Sequence, residues 1–330
     1  MGYIYTKSGK LAKRLYFGAV LLFEGLYYTF KNRVLADGGT FVENELPTIS
    51  QDVKLVLTTN AYKAGKLYSA VPNDGVGDFI VVRNSKATYI GQDGLIKTAL
   101  ANVPRIDWST GEAVVLVEPQ STNLILNSAL GERFVYNQGD ENYLAPNGVL
   151  EAFYPLPTST AARFQKIIVA SSFASGTELS YSWYRKRVTA PLDTTYLGDL
   201  HIKQLINTTN TATTQIESDL MGFDRFKSIF TITDGSLDAT LRLYYGEIIE
   251  VGTQSIAYWG HQLEEGANAT SYIYTENTTV TRLADNISVT TPAGVTAITE
   301  TKNGVEQTPI TTIPATYSLP VGNINKVTML

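Results

Sequence analysis

The chain has 330 residues, a formal net charge of −5 and a hydrophobic fraction of 44%, but only 17% of its residues are charged. That composition supports packed cores, and the length fits two or three domains of about 100–200 residues. Cysteine is absent and histidine occurs twice, as His201 and His261, which excludes zinc fingers, iron–sulfur clusters and thiol catalysis. The negative net charge argues against nucleic acid as a partner, because phosphate binding needs a basic patch.

Residues 1–60 form the most basic and apolar part of the sequence. Ser8 is a candidate cap for a helix over residues 9–22, although internal glycines leave a β interpretation open. The apolar run at 15–23 is far shorter than the roughly 20 residues that span a membrane, so we predict no membrane insertion. From its position alone, we predict that residues 1–60 are an attachment region.

Residues 61–125 are predicted to form a small β connector. Asp93-Gly94 lies between two β-prone runs and predicts a hairpin, since both residues tolerate the positive φ of a type I′ turn. Pro119 ends the last run and is typical of a strand terminus. The predicted strands up to this point are 53–59, 79–83, 87–91, 95–98 and 113–117.

Residues 126–285 contain strand-like runs about 8–12 residues apart without amphipathic helices between them, which favours a β-sandwich or jelly roll. The clearest runs are 179–184, 195–205, 226–233, 239–245 and 255–259. The fold class predicted for the whole chain is therefore mainly β, with a jelly roll preceded by the β connector and the attachment region.

Residues 286–330 are predicted to be a C-terminal β tail. It is rich in threonine, and its strand-like runs are 287–291, 295–299 and 317–319. The segment is too small for a core of its own, which leaves pairing with another chain as an option.

Acidic residues give only weak indications of chemistry. Glu264, Glu265 and Asp285 are candidates for acid–base work, since glycosidases use two carboxylates at a defined separation. Adjacent residues of a strand point to opposite faces, so Glu264 and Glu265 do not converge easily and a structural role is favoured. Asp140 and Glu141 could bind a structural calcium, but their spacing matches no calcium motif. We predict no catalytic residues, no cofactor and no metal ligands.

Aromatic residues are the candidate ligand-binding groups. Sugars present C–H faces that stack on aromatic rings, and Tyr or Trp adds a polar edge. In a half-buried strand, one ring of each adjacent pair should point inward and the other outward. The interpretation that we favour for any one of these rings is that it fills the core of the sandwich. The six candidates form three adjacent pairs, Trp183 and Tyr184, Tyr244 and Tyr245, and Tyr258 and Trp259.

Three stretches of the sequence carry a resemblance to a known family. They include RNSKAT at 83–88 and NVPRID at 102–107, VEPQSTNLILNS at 117–128, and WGHQLEEG at 259–266 followed by TRLAD at 281–285. Together, over roughly residues 60–330, they resemble bacteriophage head-fiber and tail-fiber proteins. The sequence departs from that family at Phe223, where Trp is usual, and at His261, where a small residue is usual.

The resemblance implies a carbohydrate-binding-module-like jelly roll in a non-enzymatic virion component, anchored through its N-terminal part. We therefore expect a phage head fiber that decorates the capsid, with adhesion to host surface glycans as a further option. A tail-fiber adhesin and a polysaccharide depolymerase are the alternatives. The expected partners are further copies of this chain, as a dimer or trimer, and capsid or other virion proteins. The expected localisation is the virion, after synthesis in the bacterial cytoplasm.

Overall fold

The structure is a computed structural model, and it describes only part of the chain. The described residues are 33–35, 41–43, 53–59, 62–71, 79–129, 139–155, 164–171, 173–187, 200–205, 208–210, 214–233, 239–245 and 256–330. The candidate helix at 9–22, and most of the attachment region, lie outside these residues.

Twenty-seven strands are present in the described residues, and they pair antiparallel. The first eleven are β1 (Arg33–Leu35), β2 (Phe41–Glu43), β3 (Leu55–Thr58), β4 (Tyr62–Lys63), β5 (Lys66–Leu67), β6 (Ile80–Val82), β7 (Ala87–Ile90), β8 (Ile96–Ala99), β9 (Ile106–Asp107), β10 (Val114–Val117) and β11 (Ser121–Asn123). The next ten are β12 (Gly139–Leu144), β13 (Leu150–Pro155), β14 (Phe164–Ser171), β15 (Glu178–Arg187), β16 (Leu200–Leu205), β17 (Thr208–Asn210), β18 (Thr214–Leu220), β19 (Phe223–Ile232), β20 (Ala239–Tyr245) and β21 (Ile256–Glu265). The last six are β22 (Val280–Arg282), β23 (Asn286–Thr290), β24 (Ile298–Lys302), β25 (Val305–Glu306), β26 (Thr316–Ser318) and β27 (Gly322–Met329).

The predicted fold class is confirmed: the described chain is mainly β and is built from several antiparallel sheets, as in β-sandwich proteins. The largest sheet has seven strands, in the order β12-β13-β21-β15-β19-β17 with β18 beside β19. A three-stranded sheet, β14-β20-β16, comes from the same part of the chain. Both sheets are formed by strands of residues 126–285, where the spacing of strand-like runs predicts a sandwich.

The C-terminal strands pair with strands near the start of the described chain. Strand β27 lies between β24 and β10 in one sheet and also pairs with β3, with Val327 opposite Leu57. Strand β23 pairs with β6 on one side and β26 on the other. The tail strands therefore gain their partners within this chain. The domain boundaries drawn from the sequence stay predictions.

Two hydrophobic cores follow from these pairings. The first, which we call the aliphatic core, contains Leu55, Leu57, Leu67, Phe79, Val115, Val117, Ile287, Val289, Ile298, Tyr317, Leu319, Ile324, Val327 and Met329. The second, which we call the aromatic core, contains Ile90, Ile96, Ala129, Ala145, Ala152, Tyr184, Leu220, Phe223, Ala257, Trp259 and Tyr272. The aromatic core joins the β7–β8 hairpin to the seven-stranded sheet, because Ile90 and Ile96 come from that hairpin.

The β7–β8 hairpin is present where Asp93-Gly94 predicts it, with Ile90 opposite Ile96. The predicted turn type is wrong, because of the two turn residues only Gly94 has a positive φ, at +72°. The Gly94 amide donates to the Gly91 carbonyl and the Gly91 amide donates to the Leu95 carbonyl. This pattern matches a three-residue loop that ends in a left-handed glycine.

The expected inward and outward alternation of adjacent aromatic residues is wrong for β15 and β21. Trp183 and Tyr184 are both 1% exposed, and Tyr258 and Trp259 are both 0% exposed. These two strands pair with each other in the interior of the seven-stranded sheet. Both faces are covered at these positions, so the two residues of each pair are buried although they point to opposite faces.

Candidate functional site

Five charged residues form a buried cluster, which we call the arginine network. Its members are Arg83, Arg105, Glu118, Arg282 and Asp285. Arg83 Nη1 lies 2.7 Å from Asp285 Oδ1, and Arg105 Nη1 lies 2.7 Å from Glu118 Oε2. Arg105 Nη2 also pairs with Asp285 Oδ2. The three arginine side chains are at most 1% exposed, so this is an interior ionic site rather than a surface one.

Strand ends place the members of the network. Arg83 follows β6, Arg105 precedes β9 and Glu118 follows β10, while Asp285 lies between β22 and β23. The sheets fix where each of these strands ends. Arg83 and Asp285 therefore lie within hydrogen-bond distance although they are 202 residues apart in sequence. The Glu118 amide also donates to Asp285 Oδ2 at 2.9 Å. The network therefore ties together chain segments that are distant in sequence.

Backbone carbonyls are further partners of the arginines, while Nε of Arg105 and Nε of Arg282 are buried and make no hydrogen bond among the described residues. Arg83 Nη2 donates to the carbonyls of Leu100 and Val103 at 2.8 and 2.9 Å. Arg105 Nη1 donates to the Thr88 carbonyl at 2.9 Å, and Arg282 Nη2 donates to a carbonyl at 2.7 Å. Burying a guanidinium without partners would cost several kcal/mol, and these bonds offset that cost.

The electrostatics of the network favour its charged form. Burial alone would raise the pKa of Glu118, but Arg105 and Arg282 outweigh it and lower that pKa to about 2. Burial lowers the pKa of Arg83, and the hydrogen bond to Asp285 offsets part of that effect. Burial alone would also lower the pKa of Arg105, but the carboxylates of Glu118 and Asp285 outweigh it and raise that pKa. A carboxylate with so low a pKa is a poor proton donor at neutral pH.

A second polar cluster surrounds Glu264, which is 0% exposed. Its Oε1 accepts from the hydroxyls of Ser121 and Thr270 at 2.6 and 2.5 Å. Its Oε2 accepts from Gln262 Nε2 and the Thr270 amide at 2.7 and 3.0 Å. Glu265, the next residue, is exposed. The two carboxylates therefore face opposite sides of β21, as the strand geometry predicts, and Glu264 already accepts four hydrogen bonds from three residues.

Asn123 joins this second cluster to neighbouring strands. Its Oδ1 accepts from the amides of Ile125 and Leu263, both at 3.1 Å. Its Nδ2 donates to the carbonyls of Ile273 and His261 at 2.8 and 3.3 Å. Asn123, the last residue of β11 (Ser121–Asn123), therefore bonds backbone groups of its neighbouring segments.

Four of the six aromatic candidates are core residues. Trp183 stacks between Tyr181 and Phe226, with ring centroids 5.2 and 5.9 Å away. Trp259 lies 4.4 Å from the Tyr272 ring and donates from Nε1 to Glu151 at 2.9 Å. Tyr184 and Tyr258 are also buried, so none of these four rings is exposed on the surface of the sheet.

The other two aromatic candidates, Tyr244 and Tyr245, lie on β20. Their side chains are outside the described part of the structure. A glycan site at the aromatic residues stays a prediction.

His261 is also a buried structural residue, 1% exposed. Its Nδ1 lies 2.5 Å from the Tyr181 hydroxyl, and the two rings stack. His261 therefore has a structural role in the interior of the protein.

Sequence reasoning missed the arginine network. Arg83, Arg105, Glu118 and Arg282 all lie in the stretches that carry the family resemblance, but nothing in the sequence places them together. One feature of the sequence could have indicated the network. The chain has few charged residues, yet an arginine or a carboxylate recurs at the ends of its predicted strands. That pattern identifies candidates for buried pairing and does not identify which residues pair.

The membrane and metal predictions concern apolar helices and clusters of ligating side chains. Across the described ranges, no helix has the length and apolar composition needed to cross a membrane. In the same part of the chain, no group of three or more His, Asp or Glu residues is placed to hold a metal ion. Asp140 and Glu141 lie on β12, and their side chains are outside the described part of the structure.

No protein-family model matches this chain, and no curated protein matches it. Among solved structures, the tripod (BppUct-A-L) from the baseplate of bacteriophage Tuc2009 aligns over 76% of this chain and 96% of its own, at 12% identity. The TM-score is 0.28, and a likeness of that strength carries no conclusion about this chain.

Proposed function

We propose that this chain is a non-enzymatic structural protein of a bacteriophage particle, a fiber on the head. The observation that carries the proposal is the place where the three resembling stretches meet. One supplies Arg83 and Arg105 to the arginine network, the second supplies Glu118, and the third supplies Arg282 and Asp285. The charged residues of these motifs are bonded to one another, which supports a structural contact between β units rather than a reacting role for these five side chains.

We propose two kinds of partner for this chain, which are virion proteins and further copies of itself. Residues 1–60 attach the chain to the capsid or to an adaptor protein, and further copies of the chain form a dimer or trimer. The support is the basic and apolar composition of residues 1–60 and the lack of cysteine, which leaves packing and assembly to stabilise the particle. Light scattering at micromolar concentration should give a dimer or trimer; a monomer would contradict the oligomer.

The test is localisation on purified particles of the phage that encodes the chain. Gold-labelled antibodies against the chain should decorate the head. Label on the tail would favour the second candidate, a tail-fiber adhesin, which shares the same sequence resemblance. Absence of the chain from purified particles would overturn the proposal.

A truncation tests the attachment region. Deleting residues 1–52 should abolish particle association while leaving β3 in place, because Leu55 and Leu57 are buried in the aliphatic core. The matched control is the full-length chain carrying the same tag. Retention of the truncated chain on particles would rule out attachment through this region.

The absence of enzymatic activity is part of the proposal and has its own assay. A depolymerase would release reducing ends from the capsular polysaccharide of the host. We expect no release above a heat-inactivated control. Sustained turnover by the full-length chain would overturn the non-enzymatic assignment.

A further inference from the structure

A pocket of about 150 Å³ opens beside the arginine network. Tyr184 and Tyr272 line it and are 1% and 3% exposed. The remaining lining includes partly or fully exposed residues from three segments, Tyr89, Ser109 and Asn323. An engineered protein cavity of similar volume accepts one benzene molecule, so this pocket has room for a ligand of about one six-membered ring.

The charged groups that line the pocket are already bonded within the protein. Glu118 is held by the arginine network. Asp107 accepts from two backbone amides at 2.7 and 2.9 Å. Arg225 donates to a serine hydroxyl at 2.9 Å and to a backbone carbonyl at 2.8 Å. An ionic ligand would therefore compete with the bonds that Glu118, Asp107 and Nη2 of Arg225 already make, which favours a neutral ligand.

Three neutral polar groups of the lining differ from these. Within the described residues, the structure gives no hydrogen bond to the Tyr89 hydroxyl, the Ser109 hydroxyl or the Asn323 side-chain amide. Hydroxyl and amide groups each donate and accept, which matches the hydroxyls of a polyol. Leu116 and the buried tyrosines supply apolar lining for the C–H face of a ring.

We propose that this pocket binds one neutral sugar ring, with its hydroxyls bonded to Tyr89, Ser109 and Asn323. Of the six aromatic candidates, only Tyr184 lines this pocket. The site goes beyond the particle role proposed above and does not depend on it, since a ring-sized pocket can be filled whether the chain sits on a head, on a tail or on neither. Failure of the particle test and failure of the binding test are therefore separate results.

The test is titration of the full-length chain with neutral monosaccharides by ligand-observed NMR and calorimetry. The probes are glucose, galactose, mannose, rhamnose and N-acetylglucosamine, with glucuronate as the charged comparison. A ligand of this size should bind with a Kd on the order of 1 mM. Tyr89→Phe and Ser109→Ala each remove one hydroxyl and should weaken binding about threefold to tenfold.

Matched controls remove the same groups elsewhere. Tyr274→Phe changes an exposed tyrosine and Ser318→Ala an exposed serine, and neither residue lines the pocket. Both controls should bind as the unmodified chain does, and all four variants should keep its circular dichroism spectrum. The proposal is overturned if no neutral sugar binds, if the two pocket variants bind like the controls, or if glucuronate binds at least as tightly as glucose.

Discussion

The aliphatic core and the aromatic core use different side chains and draw on different parts of the chain. The aliphatic core unites β3 and β10 with the C-terminal strands, whereas the aromatic core packs large rings against alanines such as Ala152 and Ala257. Burial of apolar side chains stabilises both cores but is non-directional, so it does not by itself fix how one core sits against the other.

The arginine network fixes the position of one core relative to the other. Arg105 donates to the Thr88 carbonyl, two residues from Ile90 in the aromatic core. It also pairs with Asp285, two residues from Ile287 in the aliphatic core. Charge-assisted bonds have narrow geometry, so one guanidinium that bonds both sides sets their relative position. Packing therefore provides stability within each core, while the buried charges of the arginine network fix how the two cores meet. We call this contact between the two cores the joint.

The largest expected effect is at the joint. Arg105→Met removes the guanidinium and leaves Glu118 and Asp285 with fewer partners, which should lower the free energy of unfolding by about 3–5 kcal/mol. The control is Lys97→Met, since the Lys97–Asp93 pair has side chains 42% and 49% exposed and should contribute less than about 1 kcal/mol. Urea unfolding followed by tryptophan fluorescence measures both. Equal losses of unfolding free energy in the two variants would contradict a structural role for the joint.

The acid dependence of stability isolates Glu118. Its pKa is about 2 in the folded chain and near 4.5 ordinarily, so its contribution is present above pH 4.5 and is lost as the pH falls through 2. The contribution is on the order of 3 kcal/mol. Glu118→Gln does not titrate, so its unfolding free energy should fall less between pH 4.5 and 2. Parallel pH profiles would mean that Glu118 is not held in its charged form.

The aromatic core should be sensitive to added volume. Gly260 has a φ of +64°, and a Cβ there would lie 2.7 Å from Tyr184 Cδ2. Gly260→Ala should therefore cost about 2 kcal/mol from the clash and the left-handed backbone. At Gly94, with a φ of +72° and open space around it, the same change should cost about 1 kcal/mol. Equal costs, read from thermal unfolding, would show that the core yields to the extra methyl group.

The smallest effect is expected in the aliphatic core. The Tyr317 hydroxyl donates to Glu300 Oε1 at 2.6 Å. Tyr317→Phe keeps the ring and loses this bond, which should lower the free energy of unfolding by about 1 kcal/mol. Tyr62→Phe, at a residue 37% exposed, is the control and should change it by less. A loss as large as that of Arg105→Met would mean that directional bonds matter equally in the core and at the joint.

The sequence predicts local features of this fold better than distant ones. The β7–β8 hairpin follows from Asp93-Gly94 between β-prone runs, which is information contained in about a dozen residues. The pairing of β27 with β3 joins positions about 270 residues apart, and neither strand carries a signal that selects its partner. Strand identity depends on nearby residues, whereas strand partners depend on the packing of the whole chain.

The candidate site shows the same limit. A structural role for Glu264 could be inferred, because adjacent residues of a strand point to opposite faces. The meeting of Arg83 with Asp285 could not, because a charged residue at a strand end is equally compatible with solvent. The inward and outward alternation expected for Trp183 and Tyr184 fails for a related reason, since a central strand covered on both faces has no outward side.

A double-mutant cycle on Arg105 and Glu118 tests the central claim that the motif residues form a structural joint. The cycle compares the unfolding free energies of the unmodified chain, Arg105→Met, Glu118→Gln and the double variant. Because their side chains lie 2.7 Å apart in the interior, each single change should be costly and the second change much less so. The account predicts a coupling energy of at least about 1.5 kcal/mol. Additive losses, with a coupling energy below about 0.5 kcal/mol, would contradict it.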